Sequence, residues 1–127
     1  MNLKNLSKNL VKFLKLSNQF LIVASLFLSA PILPAVQVIK PSENSYQDIQ
    51  EALILAEPGD IIRLSAGVFS LEDSLSLDVA GVQIEGEGMS QTILDFSNQL
   101  SGAQGLSVTS NNVTLQDFAI QNAKGCL

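Results

Sequence analysis

Carboxylates are the residues in this chain best suited to chemistry. Glu85 and Glu87 flank Gly86, and Asp95 follows a few residues on. Two carboxylates so close can bind Ca²⁺ or divide acid and base roles between them. Alternation by two, however, puts both Glu side chains on one outward face, where a solvated turn is the simpler account. Asp60, after Pro58-Gly59, reads as part of a helix stop, and Glu72 and Asp73 read as a solvated turn before Leu75. Gly86-Glu-Gly88-Met-Ser is rich in glycine, but it lacks the G-x-G-x-x-G spacing and the following helix that a nucleotide site needs. Ser74, Ser76 and Ser107 have no histidine to activate them, because the chain contains none. The same absence removes the commonest general base and the commonest metal ligand. Cys126 is the sole cysteine and cannot form an internal disulfide. Asn112-Val-Thr114 matches a glycosylation acceptor, yet a turn already accounts for Asn112. No catalytic, cofactor-binding or metal-binding residue is assigned, and no cofactor is implied.

The elements that would position such residues fit within one domain, since the chain has 127 residues. Charge is strongly segregated along it. Lys4, Lys8, Lys12 and Lys15 precede residue 16, whereas all twelve acids lie from Glu43 onward. From Val36 to the end, three cations (Lys40, Arg63, Lys124) stand against twelve acids and leave a net −9. Nucleic acid and anionic lipid both carry dense negative charge, so a segment this acidic repels them and nucleic-acid partners are not expected.

Residues 1–35 read as a secretory signal peptide. A cationic start without acids precedes the apolar run Phe20 to Ala30, eleven residues long and well short of the ~20 that span a bilayer. Pro31 and Pro34 then lead to Ala35, a small residue suited to the −1 position of a cleavage site, although Leu33 at −3 is larger than preferred. The expectation is export to the periplasm or the exterior of a bacterial-type cell. Membrane contact is expected only through this segment, and only if it stays uncleaved.

Residues 36–44 form an extended lead-in that closes at Pro41, and residues 45–59 a helical unit. Ser45 resembles an N-cap with Asp48 three residues on, close to a capping box. Ile49, Ala52, Leu53 and Ala56 then recur at helical spacing from Tyr46 to Glu57, until Pro58-Gly59 stops the helix. From residue 60 to 127 the period changes. Ile61 to Leu64, Leu75 to Leu77, Val82 to Ile84, Ile93 to Asp95, Leu106 to Val108, Val113 to Leu115 and Phe118 to Ile120 are short, mostly alternating β-prone stretches separated by turn formers.

Sliding the chain by 31 residues aligns Leu75 with Leu106, Leu77 with Val108, Val82 with Val113 and Ile84 with Leu115. Gly81 then meets Asn112, and both residue types tolerate left-handed backbone. Repeats of this length built from short strands indicate a stack in which alternate residues share one interior. The expected fold is all-β: a right-handed parallel β-helix of about two incomplete coils, with the helix capping its first coil. A β-sandwich is the competing architecture, but the repeat and the lack of Asn-Gly or Asp-Gly hairpin turns count against it.

The run Ile49 to Gly67, with its Pro58-Gly59-Asp60 stop and Ala66-Gly67 turn, resembles the start of pectate-lyase-like parallel β-helix proteins. So does Leu75 to Met89, with Thr92-Ile-Leu behind it. The resemblance covers roughly Tyr46 to Gly125 and implies a polysaccharide-directed protein. The family's catalytic carboxylates, Arg and Lys have no counterpart here. The expectation is therefore a truncated member without activity of its own, its polysaccharide contacts lying in further coils. Two other readings stand beside it. One is a small non-catalytic surface or periplasmic binding module that self-associates through the open end of the stack. The other is an active carbohydrate lyase or epimerase.

Overall fold

The computed structural model describes residues 33–124. The expected leader up to residue 32 and Cys126 lie outside the described residues. Ala35, placed by sequence at the leader's end, is already bonded into the fold: its carbonyl accepts from Ile61 N–H at 2.9 Å.

Nine short strands and one helix make up this part: β1 (Val36–Ile39), α1 (Ser45–Leu55), β2 (Ile61–Leu64), β3 (Gly67–Ser70), β4 (Leu75–Leu77), β5 (Gln83–Glu85), β6 (Thr92–Asp95), β7 (Leu106–Val108), β8 (Thr114–Gln116) and β9 (Ala119–Gln121). They form three sheets, ordered β1-β2-β5-β8, β3-β6-β9 and β4-β7. Every pairing is parallel, so the antiparallel hairpins of a β-sandwich are not found among the described residues. From β2 onward the chain visits the three sheets in strict rotation, twice completely and once in part.

The expected 31-residue register holds where it was read. Leu75 lies beside Leu106, Leu77 beside Val108, and Ile84 beside Leu115. It is not the period of the whole stack, because Ile61 lies beside Gln83 and Gly67 beside Thr92. The connection from β3 to β4 runs over residues 71–74, whereas that from β6 to β7 runs over 96–105, and this longer loop lengthens the second circuit. The corner that leads into the first sheet is kept throughout. Gly59, Gly81 and Asn112 occupy it with φ of 100°, 76° and 58°, and the Gly59 and Gly81 amides donate to the carbonyls of Gly81 and Asn111. Left-handed backbone costs glycine nothing and asparagine little, hence those residues.

Two strands differ from the sequence reading. The lead-in contains β1, which extends the first sheet below β2. The Ala66-Gly67 turn opens directly into β3, with Phe69 inward and Val68 outward. The helix is also shorter than expected and begins differently. Asn44, not Ser45, is its N-cap and makes no side-chain cap bond. Ser45 is fully buried, its Oγ accepting from Ser42 N–H and donating to the Ser42 carbonyl, while Ser42 Oγ donates to Asp48 at 2.7 Å. At the other end Ala56 is extended, and Glu57 N–H donates to Asp60 Oδ2 at 2.9 Å, which closes a turn where another helical turn was expected. Pro58 disfavours helical backbone at Glu57 and reinforces that stop.

The core follows from the alternation. Ile62, Leu64, Phe69, Leu75, Leu77, Ile84 and Leu94 point inward and are buried, with Leu71, Val82 and Phe96 at the corners. At the first end of the stack α1 lays Ile49, Ala52 and Leu53 over this interior and packs against β4, β3 and β1, the first strand of each sheet. At the other end no further strand pairs beyond β7, β8 and β9 among the described residues, and their inward residues Val108, Leu115 and Ile120 are 37%, 44% and 43% exposed. The helix thus covers one end of the three sheets.

Leu53→Ala, at the centre of the cap, should cost about 2–5 kcal/mol by opening a cavity, measured by urea unfolding. Leu100→Ala, 85% exposed in the long loop, should fall within about 0.5 kcal/mol of the parent. Equal effects would contradict a cap that closes the core.

Candidate functional site

The first sheet brings the strongest chemical candidate, Glu85, into a ladder of outward side chains. Arg63, Glu85 and Gln116 are register partners on β2, β5 and β8. Arg63 Nε donates to Glu85 Oε1 at 2.6 Å, while Gln83 and Gln116 donate to Oε2 at 2.8 and 3.3 Å. The hydrogen bond from the Arg63 guanidinium, before any other influence, holds the Glu85 carboxyl below its usual pKa. A carboxylate so engaged is an anion with both oxygens occupied, the opposite of an acid waiting to donate a proton. Glu87 is not its partner: it lies exposed in the following turn, where its amide donates to Thr92 Oγ1 at 2.9 Å.

That turn also explains the glycine pair. A side chain at Gly86 would collide with the Asp117 carbonyl and come within 2.8 Å of Thr92 Cβ. Gly86 and Gly88 donate to the carbonyls of Gln116 and Asp117, so the segment is pinned to the next circuit. Gly86 permits this close approach of one backbone to another, whereas Gly88 supplies a positive φ of 139°.

The remaining candidates are likewise taken up by the fold. Asp60 accepts from the amides of Glu57 and Ala35, in that order of influence on its lowered pKa, and ties the helix exit to β1. Asp73 is held below its usual range by the Ser101 side chain and then by Ser74 N–H. Asp95 is lowered chiefly by the Asn122 amide at 2.8 Å, and also by Ser97 N–H. Ser74 donates to the Gln104 carbonyl and accepts from Gln99 Nε2 at 3.1 Å, which leaves no free nucleophile. Ser76 and Ser107 are register neighbours on β4 and β7.

Sequence reasoning overlooked Arg63, Thr92, Gln99 and Lys124. Register alone pairs Arg63 with Glu85. Thr92 is wholly buried, with Oγ1 3.2–3.3 Å from the Leu64 and Ser65 carbonyls. Gln99 is also buried and fully bonded: Nε2 reaches Ser74 and the Gln104 carbonyl, and Oε1 accepts from Lys124 N–H. It fastens the long 96–105 loop to both neighbouring circuits. No signal in a single sequence distinguishes such a glutamine from a solvated one.

Two shallow depressions flank the outer side of α1. One, of about 510 Å³, lies between α1 and β1 beside Val38, Lys40, Glu51 and Leu55; the other, of about 340 Å³, runs along Tyr46, Gln50 and Ile54. Neither collects a catalytic set. Among the described residues no cluster of three His, Cys, Asp or Glu side chains could hold a metal ion. The large apolar side chains exposed among them are aliphatic or Met, and the half-buried Tyr46 lies along the second depression. No family model matches the chain, and no curated protein or solved structure is significantly similar to it.

The four lowered carboxylates set the acid response. Each contributes stability that is present above its unfolded-state pKa, near ~4, and is lost as pH falls through its lower folded-state value. Glu85→Gln should therefore lower the Tm at pH 7, and the gap from the parent should close below about pH 4. A gap that persists or widens in acid would contradict the ladder. Gly86→Ala should cost about 1–3 kcal/mol through overpacking, as read from denaturant midpoints.

Proposed function

We propose that residues 36–124 are the helix-capped opening of a right-handed parallel β-helix of pectate-lyase-like type, in an exported, polysaccharide-directed protein. On this reading the segment closes and anchors one end of the stack and carries out no reaction itself. The observation that carries the fold is the strict rotation of the chain through three parallel sheets, with a left-handed residue at the same corner of each circuit. A parallel connection that returns to the same sheet is right-handed in nearly all proteins, which supports the handedness. The assignment to a polysaccharide-directed family rests on the sequence resemblance, and export rests on the cationic and apolar leader.

The non-catalytic role follows from how the acids are used. Asp60, Asp73, Glu85 and Asp95 each accept hydrogen bonds that stabilise the ionised form and tie neighbouring segments together. Lyases and epimerases need a base free to take a proton from the sugar, and hydrolases need a carboxylic acid held protonated. Chemistry on a polysaccharide would thus fall to coils other than these.

The test is to incubate the purified chain with acidic polysaccharides and follow unsaturated products and reducing ends. No release above the protein-free control is expected. Turnover that survives repurification and is lost in Glu85→Gln would overturn the structural role and favour the lyase or epimerase reading. Cell fractionation checks the address: the protein should leave the cytoplasm with a mass reduced by its leader.

A further inference from the structure

We propose that the outer edge of β1, with the α1 face beside it, is a docking groove for an extended basic segment of another protein, which adds as a strand to the first sheet. The inference goes beyond the function proposed above and needs only the pairing of β1 with β2. Among the described residues β1 has a neighbouring strand on one side alone. Ala35 and Ile39 turn their carbonyls to Ile61 and Ser65, on the β2 side. Alternation in a parallel ladder then turns the N–H and C=O of Val36, Val38 and Lys40 the other way. Beside them lies the depression of about 510 Å³, whose far wall is Asp48, Glu51 and Leu55, one stripe of α1.

The other two leading strands are guarded, which sets β1 apart. Gln50 fills the edge of β4: its Nε2 donates to the Ser76 carbonyl at 3.2 Å and its Oε1 accepts from Ser76 N–H at 2.9 Å. A side-chain amide there occupies the bonds that an added strand would need. At the start of β3 the Pro41 ring lies against Gly67, 2.6 Å from where a Cβ would stand. No such guard covers β1 among the described residues, and Val36 and Val38 are 50% and 54% exposed. An unguarded edge beside a helix-walled groove is the geometry of strand addition, in which backbone bonds give affinity and alternate side chains give specificity.

The walls define what the added strand carries. Its side chains alternate between two sides. On the outward side they continue the row of Val36 and Val38, so apolar residues fit there. On the other side they face the exposed Asp48 and Glu51, so basic residues fit there. The net −9 from Val36 onward draws a basic segment and repels a second copy of this chain. The partner is therefore a polypeptide segment in which apolar and basic residues alternate. About six residues, spanning ~20 Å, suffice to cover a four-residue strand.

The experiment is fluorescence anisotropy on the purified full chain, with a labelled peptide of alternating valine and lysine as the probe. Two further peptides serve as comparisons: one N-methylated throughout, which has no N–H to donate, and one with glutamate in place of lysine. Val38→Pro removes an outward N–H without touching the bonds to β2, and Glu51→Lys reverses a charge in the wall. Should Val38→Pro lose its β circular dichroism spectrum, hydrogen exchange on the parent replaces it, and added peptide must protect the Val38 and Lys40 amides. Asp78→Lys alters an exposed acid outside the groove and is the control. Saturable binding of the lysine peptide is expected, weakened about tenfold by N-methylation and by Val38→Pro, about threefold by Glu51→Lys, and unchanged in Asp78→Lys. Binding that survives N-methylation, that falls equally in Asp78→Lys and Glu51→Lys, or that the glutamate peptide matches would overturn the proposal. So would a lack of binding at millimolar peptide, or a parent that pairs with itself and ceases to do so in Val38→Pro. Each of these failures leaves the proposed function standing, since turnover and fractionation test it separately.

Discussion

The interior of this protein is shared between successive parallel strands, so every circuit depends on its neighbours for part of its burial. Among the described residues only β1 precedes the first circuit, and α1 covers the remainder of that end. Ile49, Ala52 and Leu53 supply the apolar layer that a preceding set of strands would supply. An eleven-residue helix is marginal on its own, and packing against the stack stabilises it. Cap and first circuit therefore stabilise each other.

Outside the core, cohesion runs along the stack through polar side chains. Arg63, Glu85 and Gln116 link three strands of one sheet, Asp95 and Asn122 link two circuits of another, and Gln99 holds the longest loop to the circuits on either side. The bonds lie on register columns or between neighbouring circuits, so each depends on correct stacking. Residues that look like chemistry in isolation are, in place, the fasteners of a repeat. Twelve acids against three cations from Val36 onward also make the surface self-repelling, which opposes non-specific association.

Much of this arrangement was legible in the sequence. The pairing of Leu75 with Leu106 and Ile84 with Leu115 could be read from a single slide of the chain, because inward positions must be apolar in every circuit. The shared turn of Gly81 and Asn112 was legible for a similar reason, since few residues accept positive φ. Strand β3 was obscured by Gly67, which reads as a turn residue but sits there because the Pro41 ring approaches within 2.6 Å of where its Cβ would be. The helix end shifted because the Asp60 carboxylate captures Glu57 N–H, a tertiary competition that helical spacing does not encode. Arg63 as the partner of Glu85 needed the register of β2 on β5, which differs from the 31-residue slide because the loops of the two circuits differ in length.

The central claim is that circuits stack in parallel with Ser76 directly beside Ser107. Adjacent strands lie about 4.8 Å apart, within reach of a disulfide, whereas a shift of two residues moves the pair beyond about 7 Å. The most direct test is the rate of intrachain oxidation in a Cys126→Ser background, comparing Ser76→Cys with Ser107→Cys against Ser76→Cys with Thr109→Cys. The stacked register requires fast, near-complete bridging of the first pair and little of the second. Equal bridging of both, or preference for the second, would show that the strands do not stack as described.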